Sequence, residues 1–254
     1  MSTDDSSRKK EKTGFSAVLN ANAGVSITTP HSRIWVDALH DEHEETFSDV
    51  TPGIWQKMKK HPGFVNPDVI VFTHLHGDHF SRRLTEEAMR LYPCAKVILP
   101  SGTETFRRFE IGGDELYCIR TLHEGRAFTE ELHEAVVIGS GEKRILLAGD
   151  MRIDEKTAEK LIRDMEENVS GPEEDGRLFG AVFAPFPWLT TTRGRRVMKE
   201  ILRPERVILY HIPFAEDDRF GYRDAVRKML CGPEREKEGL PADALMEPFS
   251  ETEL

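Results

Sequence analysis

No apolar run in this 254-residue chain approaches the ~20 residues that cross a bilayer, so a membrane-spanning helix is excluded. Cysteine is scarce too. Cys94, Cys118 and Cys231 are odd in number, widely separated and without a CxxC pair, which argues against a disulfide framework. They fit a reducing compartment and are expected to sit as small apolar residues. Positive charge is also short: 35 Lys and Arg stand against 45 Asp and Glu, a net charge of −10. That balance runs against a nucleic-acid binder, which gains affinity by neutralising phosphates. The opening "MSTDDSSRKKEKTG" lacks the apolar core of a secretion signal, so residues 1–14 are expected to be a disordered lead-in and the cytoplasm the default location.

With apolar residues at 38% and charged residues at 31%, the composition is that of a globular chain able to bury a large core. Short β-branched runs recur as "FSAVLN", "GVSITT", "RIWVDA", "DVIVFT", "KVILP", "ELYCIR", "EAVVIG", "RILLAG", "GAVFAP" and "RVILYH". Helical spacing marks "GIWQKMKK", "SRRLTEEAMRLY", "DEKTAEKLIRDMEEN", "RGRRVMKEIL" and "DRFGYRDAVRKML", with Ser81 placed to cap the second. Hairpin-like strands followed by mixed strand–helix units occur twice, the second strand-rich block running from about 115 to 149. Two packed sheets with helices outside are therefore expected. Residues 15–231 read as one domain, and the Pro- and charge-rich residues 232–254 as a surface tail.

The chemistry concentrates in "VFTHLHGDHFS", residues 71–81. His74 and His76 alternate by two just past an apolar strand, so an extended backbone turns both imidazoles to one side. Gly77 can take unusual backbone angles, and a reversal there brings Asp78 and His79 back towards them. Imidazole and carboxylate together suit Zn, Mn or Fe. Further candidates stand at other strand ends: Asp150 closes "RILLAGD", His211 closes "RVILYHIP", His123 follows "ELYCIR" and His133 precedes "EAVVIG". A shared site at strand ends is geometrically economical.

The order of "THLHGDHF", His123, "LLAGD" and a late strand-end histidine resembles the metallo-β-lactamase superfamily. The early "NAGVSITTPHSRIWVDAL", ending near Asp37, is similar to that superfamily's opening strands, and the resemblance covers about residues 15–230. It implies an α/β (α+β) fold, a four-layer αββα sandwich, holding two divalent metal ions, zinc first with manganese or iron as alternatives. His74, His76 and His123 would hold the first metal, with His133 the rival of His123. Asp78, His79 and His211 would hold the second, and Asp150 would bridge. The activity implied is hydrolysis of a small ester, lactone, thioester or phosphoester by a metal-bound hydroxide that Asp78 helps to orient. A phosphodiesterase or nuclease like ribonuclease Z is the alternative, and a non-hydrolytic diiron redox module a more distant one. The stretch "ILYHIPFAEDD" looks closest to the L-ascorbate-6-phosphate lactonase-like branch.

Four further expectations concern the surroundings. Asp37 orders a turn near the site, and His133 is a proton-donor candidate at its rim. Thr190–Thr192 cap a helix where Arg193 meets an anionic substrate group, while Phe186 and Trp188 pack in the core. His40 and His43 occupy a solvated loop beside the pocket. The partner expected is a small molecule carrying an anionic group, with neither nucleic acid nor membrane, and self-association is compatible with the sequence.

Overall fold

The computed structural model describes residues 14–42, 46–169, 177–232 and 239–254; His43 and most of the lead-in lie outside them. The chain opens with an antiparallel meander of β1 (Ser16–Ala21), β2 (Gly24–Thr28) and β3 (Arg33–Val36). After α1 (Pro52–Met58), β4 (Val69–Val71), α2 (Arg82–Leu91) and β5 (Lys96–Ile98) extend the sheet in parallel from β3. The second sheet begins antiparallel with β6 (Phe106–Ile111), β7 (Asp114–Thr121), β8 (His133–Ser140) and β9 (Lys143–Leu147). It turns parallel through β10 (Ala181–Pro185) and β11 (Arg206–Tyr210), separated from the rest by α3 (Glu155–Asn168), α4 (Pro187–Thr190) and α5 (Thr192–Arg196).

After α6 (Tyr222–Cys231), β12 (Ala242–Ala244) pairs with β11 and β13 (Glu251–Glu253) pairs with β1. The segment expected as a surface tail thus supplies the outermost strand on one edge of each sheet. Capping those edges covers backbone groups that would otherwise be open to another chain. No helix among the described residues is long and apolar enough to cross a membrane.

Alternation along the second sheet sorts its side chains between two cores. Leu116, Cys118, Val136, Ile138, Ile145, Leu147 and Phe183 face the first sheet. Their neighbours Tyr117, Ile119, Ala135, Val137, Leu146 and Val182 face the helices, where Leu161 and Met165 of α3 and Val226 of α6 meet them. Strands buried on both faces must be apolar throughout, which is why these runs show no polar alternation. On the first sheet Trp35 packs against Phe64 and against Tyr92 at the end of α2. The result is the αββα sandwich.

Ser81 caps α2 by accepting a hydrogen bond from Leu84 N, as its position before the apolar stripe predicts. Two expectations need correcting. Only Cys118 is buried; Cys94 and Cys231 are exposed, because both sit near helix ends rather than on sheet faces. The "RGRRVMKEIL" helix is a short α5 followed by a π-helical stretch, Val197–Leu202. The wider turns still bury Val197, Met198 and Leu202.

Candidate metal centre

Parallel strands place their carboxyl ends along one edge of a sheet, and that edge collects the polar side chains. Asp37 follows β3, His74 and His76 lie beyond β4, Asp150 follows β9 and His211 follows β11. His123 follows the antiparallel β7 and is stitched in by backbone: Glu124 N donates to Asp150 O and Arg152 N to Leu122 O, both at 2.7 Å.

Three groups of donors converge: His74 with His76 and His123; Asp78 with His79 and His211; and His74 with His79 and Asp150. Asp150 straddles them. Its Oδ2 lies 3.6 Å from His123 Nε2 and 3.9 Å from His74 Nε2. Its Oδ1 lies 3.3 Å from His211 Nε2 and 3.5 Å from His79 Nε2. Asp78 Oδ2 stands 3.5 Å from His211 Nε2 and 3.7 Å from His79 Nε2.

Hydrogen bonding fixes which ring nitrogens face inward. Asp37 accepts from Thr73 N and Thr73 Oγ1, each at 2.7 Å, and from His79 Nδ1 at 2.9 Å. Because the Thr73 hydroxyl donates to Asp37, its oxygen accepts from His74 Nδ1 at 3.0 Å. His123 Nδ1 donates to Glu124 O at 2.6 Å. With each Nδ1 committed, only Nε2 of these three rings faces the cluster. The Nε2 atoms of His74 and His123 are buried and have no hydrogen-bond partner. Those of His79 and His211 approach to 3.0 Å.

Lone pairs and carboxylates gathered in this way require positive charge among them, from protons or from cations. Burial pushes the Asp150 carboxyl up, but the His211 and His79 imidazoles outweigh it and hold it well below the usual carboxylate range. Asp78 is likewise held low by His79 and His211 against the effect of burial. Burial also disfavours a charged His79, yet Asp78, Asp150 and Asp37 raise it well above 6.5. The donor set, imidazole nitrogens with two ionised carboxylates, fits borderline divalent cations.

Three of the six left-handed non-glycine residues among the described residues stand at the same point. Asn22, Asp37 and His211 adopt left-handed φ angles of 47°, 50° and 55°. Such angles cost a non-glycine residue on the order of 1 kcal/mol and persist where surroundings over-determine them. The His211 amide donates to Asn22 O, and Asn22 Nδ2 donates to Asp78 Oδ2 at 3.4 Å. Gly149 at φ 53° is forced by space as well: a Cβ would lie 2.7 Å from Thr73 Oγ1 and 2.8 Å from His133 Nε2.

Several expectations change. His133 is fully buried rather than at the rim, with its Nδ1 2.7 Å from Thr121 Oγ1. It lies beneath the cluster because β8 carries it into the sheet. Gly77 has no left-handed φ; glycine fits because a Cβ would fall 2.7 Å from Glu42 Cβ, a contact no rotamer of Glu42 relieves. His40 is fully buried, its Nε2 3.2 Å from Ala21 O, where a solvated loop was expected. Arg193 stands on the surface 3.8 Å from Asp154 and is not brought to the cluster, since α5 aims it at the start of α3. Thr191 does cap α5, accepting from Gly194 N. Trp188 is buried as expected, while Phe186 is only half-buried and both border the cleft. Asn22, Thr73 and Tyr210, whose hydroxyl accepts from Gly149 N at 2.8 Å, were given no role by the sequence, although Thr73 opens "THLHGDHF". Only Asn22, in the turn "NANAG", had a turn signature to betray it.

Burial lowers His133 to about 3, with Asp150 opposing the shift. The unfolded chain therefore binds a proton near pH 6.5 that the folded chain refuses until about pH 3. This contribution to stability is present above pH 6.5 and is lost as pH falls. His133→Gln is expected to shrink the stability lost between pH 7 and pH 5 by about 2 kcal/mol, measured by urea unfolding of the chelated protein.

No protein-family model and no curated protein matches the sequence. Solved structures do. A possible metal-dependent hydrolase from Veillonella parvula shares 13% identity at a TM-score of 0.63, over 95% of this chain and 99% of that one. The metallo-β-lactamase fold protein YhfI from Bacillus subtilis shares 11% at 0.58, over 94% and 98%. CmlA, a diiron β-hydroxylase from Streptomyces venezuelae, shares 14% at 0.62 over 95% of this chain, which spans about half, 54%, of CmlA. At such identities the likeness bears on architecture alone. The strand order, the layering and these neighbours agree that the chain has the metallo-β-lactamase fold.

Proposed function

We propose that the protein is a dinuclear metal-dependent hydrolase of a small molecule. His74, His76 and His123 would hold one divalent ion and Asp78, His79 and His211 the other, with Asp150 in reach of both groups. The carrying observation is the geometry of Asp150, which turns one carboxylate oxygen to each group of imidazoles. Zinc suits these donors, and manganese or iron are also compatible with them. Two such cations would supply Lewis acidity and water with a pKa lowered to roughly 7.

The chain's own residues provide orientation. Asp37 locks His79 through Nδ1 and, through Thr73, locks His74, so both rings present Nε2 inward. Asp78, ionised and steadied by Asn22, is placed to orient the attacking water. Gly149 leaves the space that Thr73 and the His133 imidazole occupy.

Metal analysis of the purified protein, coupled to hydrolysis of ester, thioester, phosphodiester and phosphomonoester substrates, tests this reading. About two equivalents of metal per chain, with chelation removing both metal and turnover, is the expected result. Undiminished hydrolysis in the chelated protein, or bound iron with redox turnover and no hydrolysis, would overturn it.

A further inference from the structure

Beside the metal centre lies a cleft of about 360 Å³, within the roughly 300–1,000 Å³ range of small-molecule sites. Its lining is aromatic. Phe128 stands against the histidines of the first group, its ring 5.0 Å from that of His76 and 5.2 Å from that of His123. Phe47 stands against the second, 4.3 Å from the His211 ring. Phe186 and Tyr222, paired at 4.6 Å, form another stretch of wall. No Lys or Arg is among the described residues that line it. Glu124 is the only charged side chain there besides Asp150, and its oxygens are occupied by the amides of Gly125 and Ile153.

Phe128 remains 43% exposed although it borders the site. It sits in the 3₁₀ turn Arg126–Phe128, entered through Gly125 at φ 86°. A large apolar ring left open to water at a site mouth gains stability from a ligand that covers it. An anionic group held on these walls, away from the cations, would find no Lys or Arg to pair with.

We propose that this cleft seats the uncharged aromatic or branched-alkyl acyl part of a carboxylic ester, with Phe128 as a specificity-determining contact. The inference rests on the hydrolase reading and narrows it to neutral acyl substrates. In the reaction a water oxygen bonds to the acyl carbon and the carbon–oxygen bond to the leaving alcohol breaks. The alcohol departs with a proton, and the new carboxylic acid releases its own to solvent.

The test uses the metal-loaded full chain and p-nitrophenyl esters sharing one leaving group: acetate, butyrate and phenylacetate, beside p-nitrophenyl phosphate and bis-p-nitrophenyl phosphate. kcat/KM is expected to rise from acetate to phenylacetate and to be lowest for the phosphates. Phe128→Ala is expected to raise KM for phenylacetate about tenfold and KM for acetate by less, the loss of one aromatic contact of roughly 1.4 kcal/mol. Phe128→Leu keeps an apolar side chain and should lose less. Calorimetric binding of phenylacetamide gives a readout independent of turnover, and Phe128→Ala should weaken it about tenfold. Preference for either phosphate, or phenylacetamide affinity unaltered in Phe128→Ala, overturns the proposal. If no substrate is hydrolysed yet phenylacetamide binds in a Phe128-dependent way, the hydrolase reading fails and the acyl-binding cleft stands.

Discussion

Asp150→Ala is expected to lower kcat by about a thousandfold or more, close to 4 kcal/mol of barrier, and to reduce bound metal to one equivalent or fewer. The argument is electrostatic and geometric. Four imidazole Nε2 atoms lie 3.3–3.9 Å from its two oxygens, two at each. Of the acids here, Asp37 is already committed to Thr73 and His79 and faces away. Asp78 reaches only His79 and His211. Removing Asp150 therefore leaves His74 and His123 without an anion, and two cations would have no shared counter-charge between them. Atomic absorption and initial rates on the same preparation check this, with circular dichroism confirming that the variant is folded. Two retained metals and full turnover would remove Asp150 from the centre.

The second large effect concerns stability. Gly194→Ala is expected to destabilise the fold by about 3 kcal/mol, lowering the melting temperature by roughly 6–12 °C. A Cβ at Gly194 would lie 2.3 Å from Trp188 O, 2.6 Å from its Cα and 2.7 Å from its carbonyl carbon. All three are backbone atoms, so no rotamer change relieves the overlap. Trp188 is fully buried in the core between the second sheet and its helices, and it also borders the cleft. Backing it away would open both. Gly102→Ala, where nothing stands within 4 Å of the added carbon, is the control and should move the midpoint little. Equal midpoints for the two variants would show that α4 and α5 yield more easily than their packing indicates.

The apolar runs were legible because strands buried on both faces tolerate few polar side chains, and all ten quoted runs coincide with strands. β6 escaped notice because "FRRFEI" is an exposed edge whose charges mask its pattern. β12 and β13 are three residues each, too short for any periodicity, and owe their existence to the strands they pair with. The five helical segments were marked by apolar spacing and caps, but nothing in "RGRRVMKEIL" distinguished α-helical from π-helical turns. Arg193 looked like an anion-binding residue because it follows a threonine-rich cap; only the packing of α5 beside α3 turns it towards Asp154.

What the sequence determined by itself was the inventory and its order: "HLHGDH", a strand-ending Asp150, a strand-ending His211, and the negative balance that disfavours nucleic acid. Tertiary structure groups His123 rather than His133 with His74 and His76, since backbone pairing with the Asp150 segment draws one to the cluster while β8 carries the other into the sheet. It also revealed the hydrogen bonds by which Asn22 and Thr73 hold Asp78 and His74, and it turned Arg193 to Asp154. The physical reason is the same in each case. Spacing along a strand says which way neighbouring side chains point, whereas many of the hydrogen-bond commitments join residues 12 to more than a hundred positions apart, and the cleft walls come from separate elements.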